Sequence, residues 1–270
     1  MVLGTVQYLG KEKEVLIFYD GKCKAVKPDE FVTVPIHKCK YLIEKTENFV
    51  PTRETAEMLK KFDWKGGPSA NGMLKGERLF IIGSGGSLKG FDFSRLDNEW
   101  SLVLNHSLRF YPDAKMLMFL DVTFVRECKK EIDNFKGIVF ACFRADYDSR
   151  LFTGKHLICF PINRKTPQDD INLGLFNGEL AGLTAINLGL VMGASEIYLL
   201  GFDMDPSAEE YYFFEDEFKK PGRTHKSGKD EKILKKFRKF SEHRDKIFNC
   251  NPNSKIDIFE YKDIEEVLNG

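Results

Sequence analysis

The sequence predicts an α/β protein in which a doubly wound, mostly parallel sheet follows a small β-rich module. Three observations carry this prediction. Apolar runs past residue 77, among them 79–83, 116–121 and 196–201, are continuous rather than alternating. Continuous runs mark strands buried on both faces beneath covering helices. The runs recur in a rhythm of strand, loop or helix, strand to the end of the chain. Residues 1–44 differ, with short alternating segments separated by turn residues, the pattern of half-buried strands.

Within the N-terminal module, residues 2–9, 14–19, 24–26 and 31–35 read as strands. Asp20-Gly21 is a tight-turn signal between the second and third. They suit a meander or SH3-like barrel over residues 1–50, ending in a short helical piece near 40–45. A unit of that size buries little alone, which predicts docking or homo-oligomerisation. Residues 52–62 have a helical pattern with Thr52 as its N-cap. Gly, Pro, Ser and Asn concentrate over 65–72 and mark a linker. Residues 51–76 therefore join the module to a second domain, 77–270.

In that second domain, strands are expected over 79–83, 102–105, 116–121, 138–143, 157–161, 196–201 and 246–250. The helix expected over 180–192 is apolar almost all round, with Ala181, Gly182, Ala185 and Gly189 for close approach. It belongs against the sheet. The helix expected over 230–243 carries Ile233, Leu234, Phe237 and Phe240 on one stripe.

Composition narrows the function. Of 270 residues, 42% are hydrophobic and 13% aromatic, enough for a proper core. Lys plus Arg and Asp plus Glu number 41 each. Zero net charge argues against a nucleic-acid partner held by phosphate neutralisation. None of the six cysteines forms a C-x-x-C pair, which argues against a zinc ribbon, and Cys142 and Cys159 lie in strand-like apolar runs and read as reduced core thiols, which fit a cytoplasmic setting. No secretory leader is seen, and no apolar run approaches the ~18 residues of a membrane span.

Three features carry chemistry. The strand at 79–82 runs into Gly83-Ser84-Gly85-Gly86-Ser87. Glycines allow a sharp turn and close backbone approach, and N–H groups with a Ser hydroxyl suit phosphate oxygens. The spacing matches neither a Walker A loop nor the dinucleotide fingerprint. Asn105, Asp121 and Asp203 stand at expected strand ends, where ligands of open α/β sheets bind. Residues 219–239 hold ten basic residues, suited to an anionic donor. The loop at 221–228 carries glycines, as in a lid, and His225, a natural acid or base near neutral pH.

In order and spacing, these motifs resemble the bacterial sialyltransferases of glycosyltransferase family 42 and the related 6-hydroxymethylpterin diphosphokinase-like proteins. The carrying blocks are IIGSGGSLKGFDFSRL at 81–96, Asn105, the run from Ala181-Gly182 to GASEIYLLGFD at 193–203, THKSGKD at 224–230 and NPNS at 251–254. The resemblance spans roughly 79–260 and implies a Rossmann-like nucleotide-binding transferase domain. It implies that Gly83, Ser84, Gly85, Gly86 and Ser87 approach the nucleotide phosphate and ribose. Asn105 and Asp121 would face the donor, Gly182 would sit beside it, and Gly201, Phe202 and Asp203 would bind the nucleoside. Tyr211 or Tyr212 would support the leaving phosphate, with His225 as general base toward an acceptor hydroxyl. The departures are Gly86 for a family proline, Ala181 for Ser or Thr, and Asp121 for Asn.

The leading expectation is a sialyltransferase-like glycosyltransferase using a nucleotide-sugar donor, CMP- or other NDP-linked, with no metal ligands assigned. A second is a Mg-dependent diphosphokinase, to which Asp121, Asp203 and Asp205 would contribute. A third is a non-catalytic phage-like binding or assembly protein, since the N-terminal pattern is loosely similar to small β modules of phage and prophage proteins.

Overall fold

The structure is a computed structural model. It describes residues 3–8, 15–19, 22–35, 42, 49–53, 70–142, 157–160, 162–163, 165–171, 174–205, 212–214 and 227–269. The chain divides into two compact units, Met1–Gly67 with Arg144–Thr153, and Pro68–Phe143 with Gly154–Gly270.

The first unit contains β1 (Leu3–Tyr8), β2 (Val15–Tyr19), β3 (Lys22–Val26), β4 (Phe31–Pro35) and β5 (Phe49–Pro51). Among the described residues these make one three-stranded sheet, in the order β4-β1-β5, and one hairpin, β2-β3. All these pairings are antiparallel. Val6, Tyr8, Val26 and Val32 are buried. The hairpin register runs from Val15 opposite Val26 to Tyr19 opposite Lys22. The expected turn at Asp20-Gly21 between them lies outside the described residues, as do most of the helices expected over 40–45 and 52–62.

The second unit is built on an eight-stranded sheet whose seven pairings are all parallel. Its strands are β6 (Arg78–Ile82), β7 (Trp100–Leu104), β8 (Met116–Phe119), β9 (Ile138–Cys142), β10 (Leu157–Phe160), β13 (Glu196–Leu200), β14 (Ile247–Asn249) and β15 (Glu260–Tyr261). Between β10 and β13 run β11 (Ile162–Asn163) and β12 (Leu175–Phe176), which pair separately. The order across the sheet is β10-β9-β8-β7-β6-β13-β14-β15. The chain therefore starts in the middle at β6, winds outward to β10, then returns to β13 on the other side of β6. The reversal lies between β6 and β13. In open parallel sheets the crevice outside the carboxyl ends at such a reversal is the ligand site.

Burial explains the continuous apolar runs. Leu79 to Ile82, Leu102 to Leu104, Met116 to Phe119 and Ile197 to Leu200 are buried residue after residue. The helices are α1 (Val122–Glu127), α2 (Lys129–Asn134), α3 (Ala181–Val191), α4 (Ser227–Phe237) and α5 (Ile264–Asn269). Helix α3 packs over β6, β7 and β8. A Cβ on Gly189 would stand 2.8 Å from Ile197 Cδ1 and 2.9 Å from Leu79 Cδ2, so glycine lets the helix lie close to β6 and β13. The helix expected over 230–243 is α4 followed by a 3-10 segment, Arg238–His243.

Buried Asn187, inside α3, accepts from the backbone N–H groups of Gln168 (3.1 Å) and Phe176 (2.8 Å) and donates to the Gln168 carbonyl (2.6 Å). One amide thereby ties the irregular segment between β11 and β12 to the helix. The C-terminal segment is held by Arg78, which bonds the Val267 carbonyl at 2.9 Å and pairs with Glu99, and by Lys262 to Glu196 at 3.1 Å. Among the described residues no helix is long and apolar enough to cross a membrane.

Candidate functional site at the sheet reversal

Past the end of β6 the backbone continues to follow β13. Gly83 N–H donates to the Leu200 carbonyl at 2.8 Å, and Gly85 N–H donates to the Gly201 carbonyl at 2.9 Å. The two loops therefore leave the sheet together. A Cβ on Gly83 would sit 2.6 Å from the Gly201 oxygen. Gly201 itself has φ +69°, a conformation that favours glycine, and its added Cβ would meet Leu88 at 2.6 Å. The glycines at this turn are required by loop-on-loop packing.

Asp203 is the hub. It accepts from the backbone N–H of Ser87 at 2.8 Å, from Ser87 Oγ at 2.5 Å and from Asn251 Nδ2 at 2.8 Å. A Cβ on Gly85 would lie 2.5 Å from Asp203 Cγ. The anion held by Ser87 is thus the protein's own carboxylate. Behind it, Ser254 Oγ donates to the Phe202 carbonyl at 2.7 Å and Asn249 Nδ2 donates to Ser254 Oγ at 2.9 Å. Lys255 N–H reaches the Asp203 carbonyl at 2.9 Å, and its Nζ lies 3.4 Å from Asp205. The NPNS run at 251–254 therefore braces the loop after β13.

Phe202 is buried, and an added Cβ on Gly182 would lie 2.6 Å from its ring. Gly182 and Phe202 are packing partners that set the first turn of α3 beside the loop after β13. At the end of β14, burial pushes the Cys250 thiol up to about 12, with the charge of Asp263 in support and Lys262 opposing.

Among the described residues at this end of the sheet, Asn105 has a buried side-chain oxygen whose bonding is incomplete. It follows β7 directly and begins the 3-10 segment Asn105–Arg109. Its φ is +50°, a left-handed conformation that Asn tolerates better than most residues. Its Oδ1 is buried and has no hydrogen-bond partner. A buried acceptor left unmatched costs about 1–3 kcal/mol. Ser107, two residues on, bonds the Gly83 carbonyl at 2.5 Å, fixing this segment against the glycine turn.

Asp121 was expected at a strand end facing a ligand. The structure makes it the N-cap of α1, where it accepts from Thr123 N–H at 2.8 Å. Tyr212 stands closer to the turn: it bridges Gly85, and the next residue, Phe213, donates its N–H to the Ser84 carbonyl at 3.1 Å. Tyr212 stacks on Phe214 at 5.4 Å, and Phe213 and Phe214 pack on Phe110 at 4.9 and 5.3 Å. Tyr211 and His225 lie outside the described residues. Gly86 and Ser84 are half-buried and Ser87 is exposed.

Sequence reasoning missed a neighbouring pair. His106 Nε2 lies 3.0 Å from Glu127 Oε2. Nothing in their spacing, 21 residues apart, brings them together, because the contact is made by β7 and β8 lying side by side. Among the described residues no group of three or more His, Cys, Asp or Glu could hold a metal ion. No family model matches the chain, and no curated protein does either.

Proposed function

We propose that the chain is a nucleotide-donor transferase, a glycosyltransferase of the sialyltransferase-like kind on a Rossmann-like sheet. Its nucleotide-activated donor would occupy the crevice outside the carboxyl ends of β6, β7 and β13. The observation that carries the reading is the buried, unmatched Asn105 Oδ1 beside the sheet reversal. A ribose hydroxyl or a base N–H would complete it, and such a contact discriminates strongly among ligands. The donor phosphates would lie toward the first turn of α3, whose backbone dipole favours an anion. Asp203 would act as the pillar that keeps the glycine turn open, in place of the nucleoside contact expected of it. His225 and Tyr211 are retained as sequence candidates near the reacting centre. The N-terminal strands would serve as an SH3-like docking or self-association module of a cytoplasmic enzyme.

Thermal melting against CMP, CDP, UDP, GDP and ATP, each with and without magnesium, tests the reading. A ligand at 100 times its dissociation constant adds about 2.7 kcal/mol. A metal-independent rise with a cytidine or uridine nucleotide is expected, and Asn105→Ala should abolish it. A rise with ATP only in the presence of magnesium would replace the reading with a diphosphokinase. No rise with any nucleotide would leave a non-catalytic binding module.

A further inference from the structure

We propose that α5 is a detachable strap, clasped by polar contacts to Arg95 and Arg78, and that its docking steadies the aromatic wall beside the glycine turn. The inference goes beyond the transferase reading and does not depend on it.

The strap has an anchor and a hinge. Lys262 N–H donates to the Asn249 carbonyl at 3.1 Å, and Lys262 Nζ lies 3.1 Å from Glu196 and 3.6 Å from the centre of the Phe248 ring. Lys262 is therefore fixed to the sheet. Asp263, the next residue, caps α5. Its carboxylate accepts from Glu265 N–H at 2.8 Å and its carbonyl from Val267 N–H at 3.0 Å. The cap travels with the helix, so α5 can turn away as a unit about the junction of Lys262 and Asp263.

The clasp is polar. No residue of α5 is buried, so apolar burial holds it weakly. Arg95 Nη1 and Nη2 donate to the two Glu265 oxygens at 2.6 and 2.8 Å. Arg78 Nη1 donates to the Val267 carbonyl at 2.9 Å, while its Nε and Nη2 are committed to Glu99. The Glu265 side chain is 60% exposed and that of Arg95 30%, so salt screens the pair. A helix of six residues does not persist by propensity alone. An element with few buried contacts and exposed hydrogen bonds opens locally at low free energy.

The wall begins where the clasp ends. Arg95 lies in the 3-10 segment Phe93–Leu96, and its guanidinium stands 5.9 Å from the centre of the Phe91 ring. Phe91 meets Phe93 edge-on at 5.2 Å, and Phe93 lies 5.6 Å from Tyr111 and 5.9 Å from Phe213. Phe213 N–H donates to the Ser84 carbonyl in the glycine turn at 3.1 Å. Contacts thus run from Glu265 to Ser84. The acidic group of its own segment beside Arg95 is Asp92, whose carboxylate already accepts from Ser94 N–H and Oγ at 3.1 and 2.7 Å. When α5 leaves, Arg95 loses the bidentate contact that fixes its direction, and the packing of Phe91 and Phe93 loosens with it.

The test is hydrogen exchange read by mass spectrometry on the full chain. Wild type, at about 0.1 and 1 M NaCl, is compared with Glu265→Arg, Arg95→Glu and the charge swap that combines them. Glu265→Arg leaves Arg95 in place. It should speed exchange by about fivefold over 264–269 and, more weakly, over 84–97 and at Phe213, with the melting temperature held to within about 2 °C. The higher salt should act on wild type in the same direction. The charge swap should return 264–269 to the wild-type rate. Unchanged exchange over 264–269 in Glu265→Arg, or no recovery in the swap, would overturn the clasp. Faster exchange over 264–269 with 84–97 unchanged would overturn the link to the wall. A larger fall in melting temperature, with faster exchange throughout the sheet, would make the contact part of the global fold and sink the strap.

Discussion

Asp203 collects three donors from two loops, and Gly85 leaves no room for a side chain beside it. Gly85→Ala must displace either the carboxylate or the turn. We expect a loss of about 1–3 kcal/mol from overpacking, read as a lower melting temperature, together with weaker nucleotide binding because the turn is deformed. An unchanged Tm would show that the carboxylate moves freely and is no pillar. The buried thiols give a second prediction at this scale. Burial pushes Cys250 up to about 12 and Cys128 up to about 11 from the usual 9.0. Burial and the hydrogen bond with Glu196 likewise raise the Tyr198 hydroxyl. Each group keeps its proton longer in the folded chain than in the unfolded one. Their contribution is complete below about pH 9 and is lost as pH rises toward the folded values. Urea midpoints should hold up to about pH 8 and fall by about pH 10.5, with a shallower fall in Cys250→Ala. An equal slope in that variant would remove Cys250 from the account.

Among the elements, α3 is held to its surroundings by more than apolar contact. Asn187 satisfies two backbone N–H groups and one carbonyl around Gln168 and Phe176. In Asn187→Ala those groups lose their partner in a part-buried setting, and we expect a loss of about 3 kcal/mol, measured by urea unfolding. A change below about 1 kcal/mol would mean that water replaces the amide. Helix α3 was legible in its composition, since small and apolar residues surround it on every side. The pairing of β11 with β12 was not, because each strand is two residues long and too short for any period. Strand ends also came out shorter than the apolar runs suggested. Asn105 turns left-handed after β7, and Asp121 is needed to cap α1, so neither stays in the sheet.

At the scale of the whole molecule, the parallel sheet closes its core within the second unit. A fragment spanning residues 68–270 should therefore fold alone, unfold in one cooperative step by circular dichroism, and keep nucleotide binding. A fragment lacking a melting transition would show that residues 1–67 are needed for stability. Tethers such as Arg78 to the Val267 carbonyl and Lys262 to Glu196 bring the C-terminal segment back to β6 and β13, so shortening the fragment past residue 262 should be more damaging than removing residues 1–67.

The sequence by itself determined the class of this protein. Continuous apolar runs separated by helix or loop segments leave few alternatives to a covered parallel sheet. It also located the glycine turn, Asn105, and the Gly201-Phe202-Asp203 loop, because glycines and polar residues interrupt apolar strands only where the chain leaves the sheet. Tertiary structure alone decided what those residues do. Strand order made β6 and β13 neighbours across more than a hundred residues, which turned Asp203 into the partner of Ser87, and only the folded chain shows that Asn105 Oδ1 is buried and unmatched. It also joined His106 to Glu127. Local sequence fixes conformational preference and burial period. The meeting of side chains from separate strands depends on the order in which those strands pair, and no local period encodes that order.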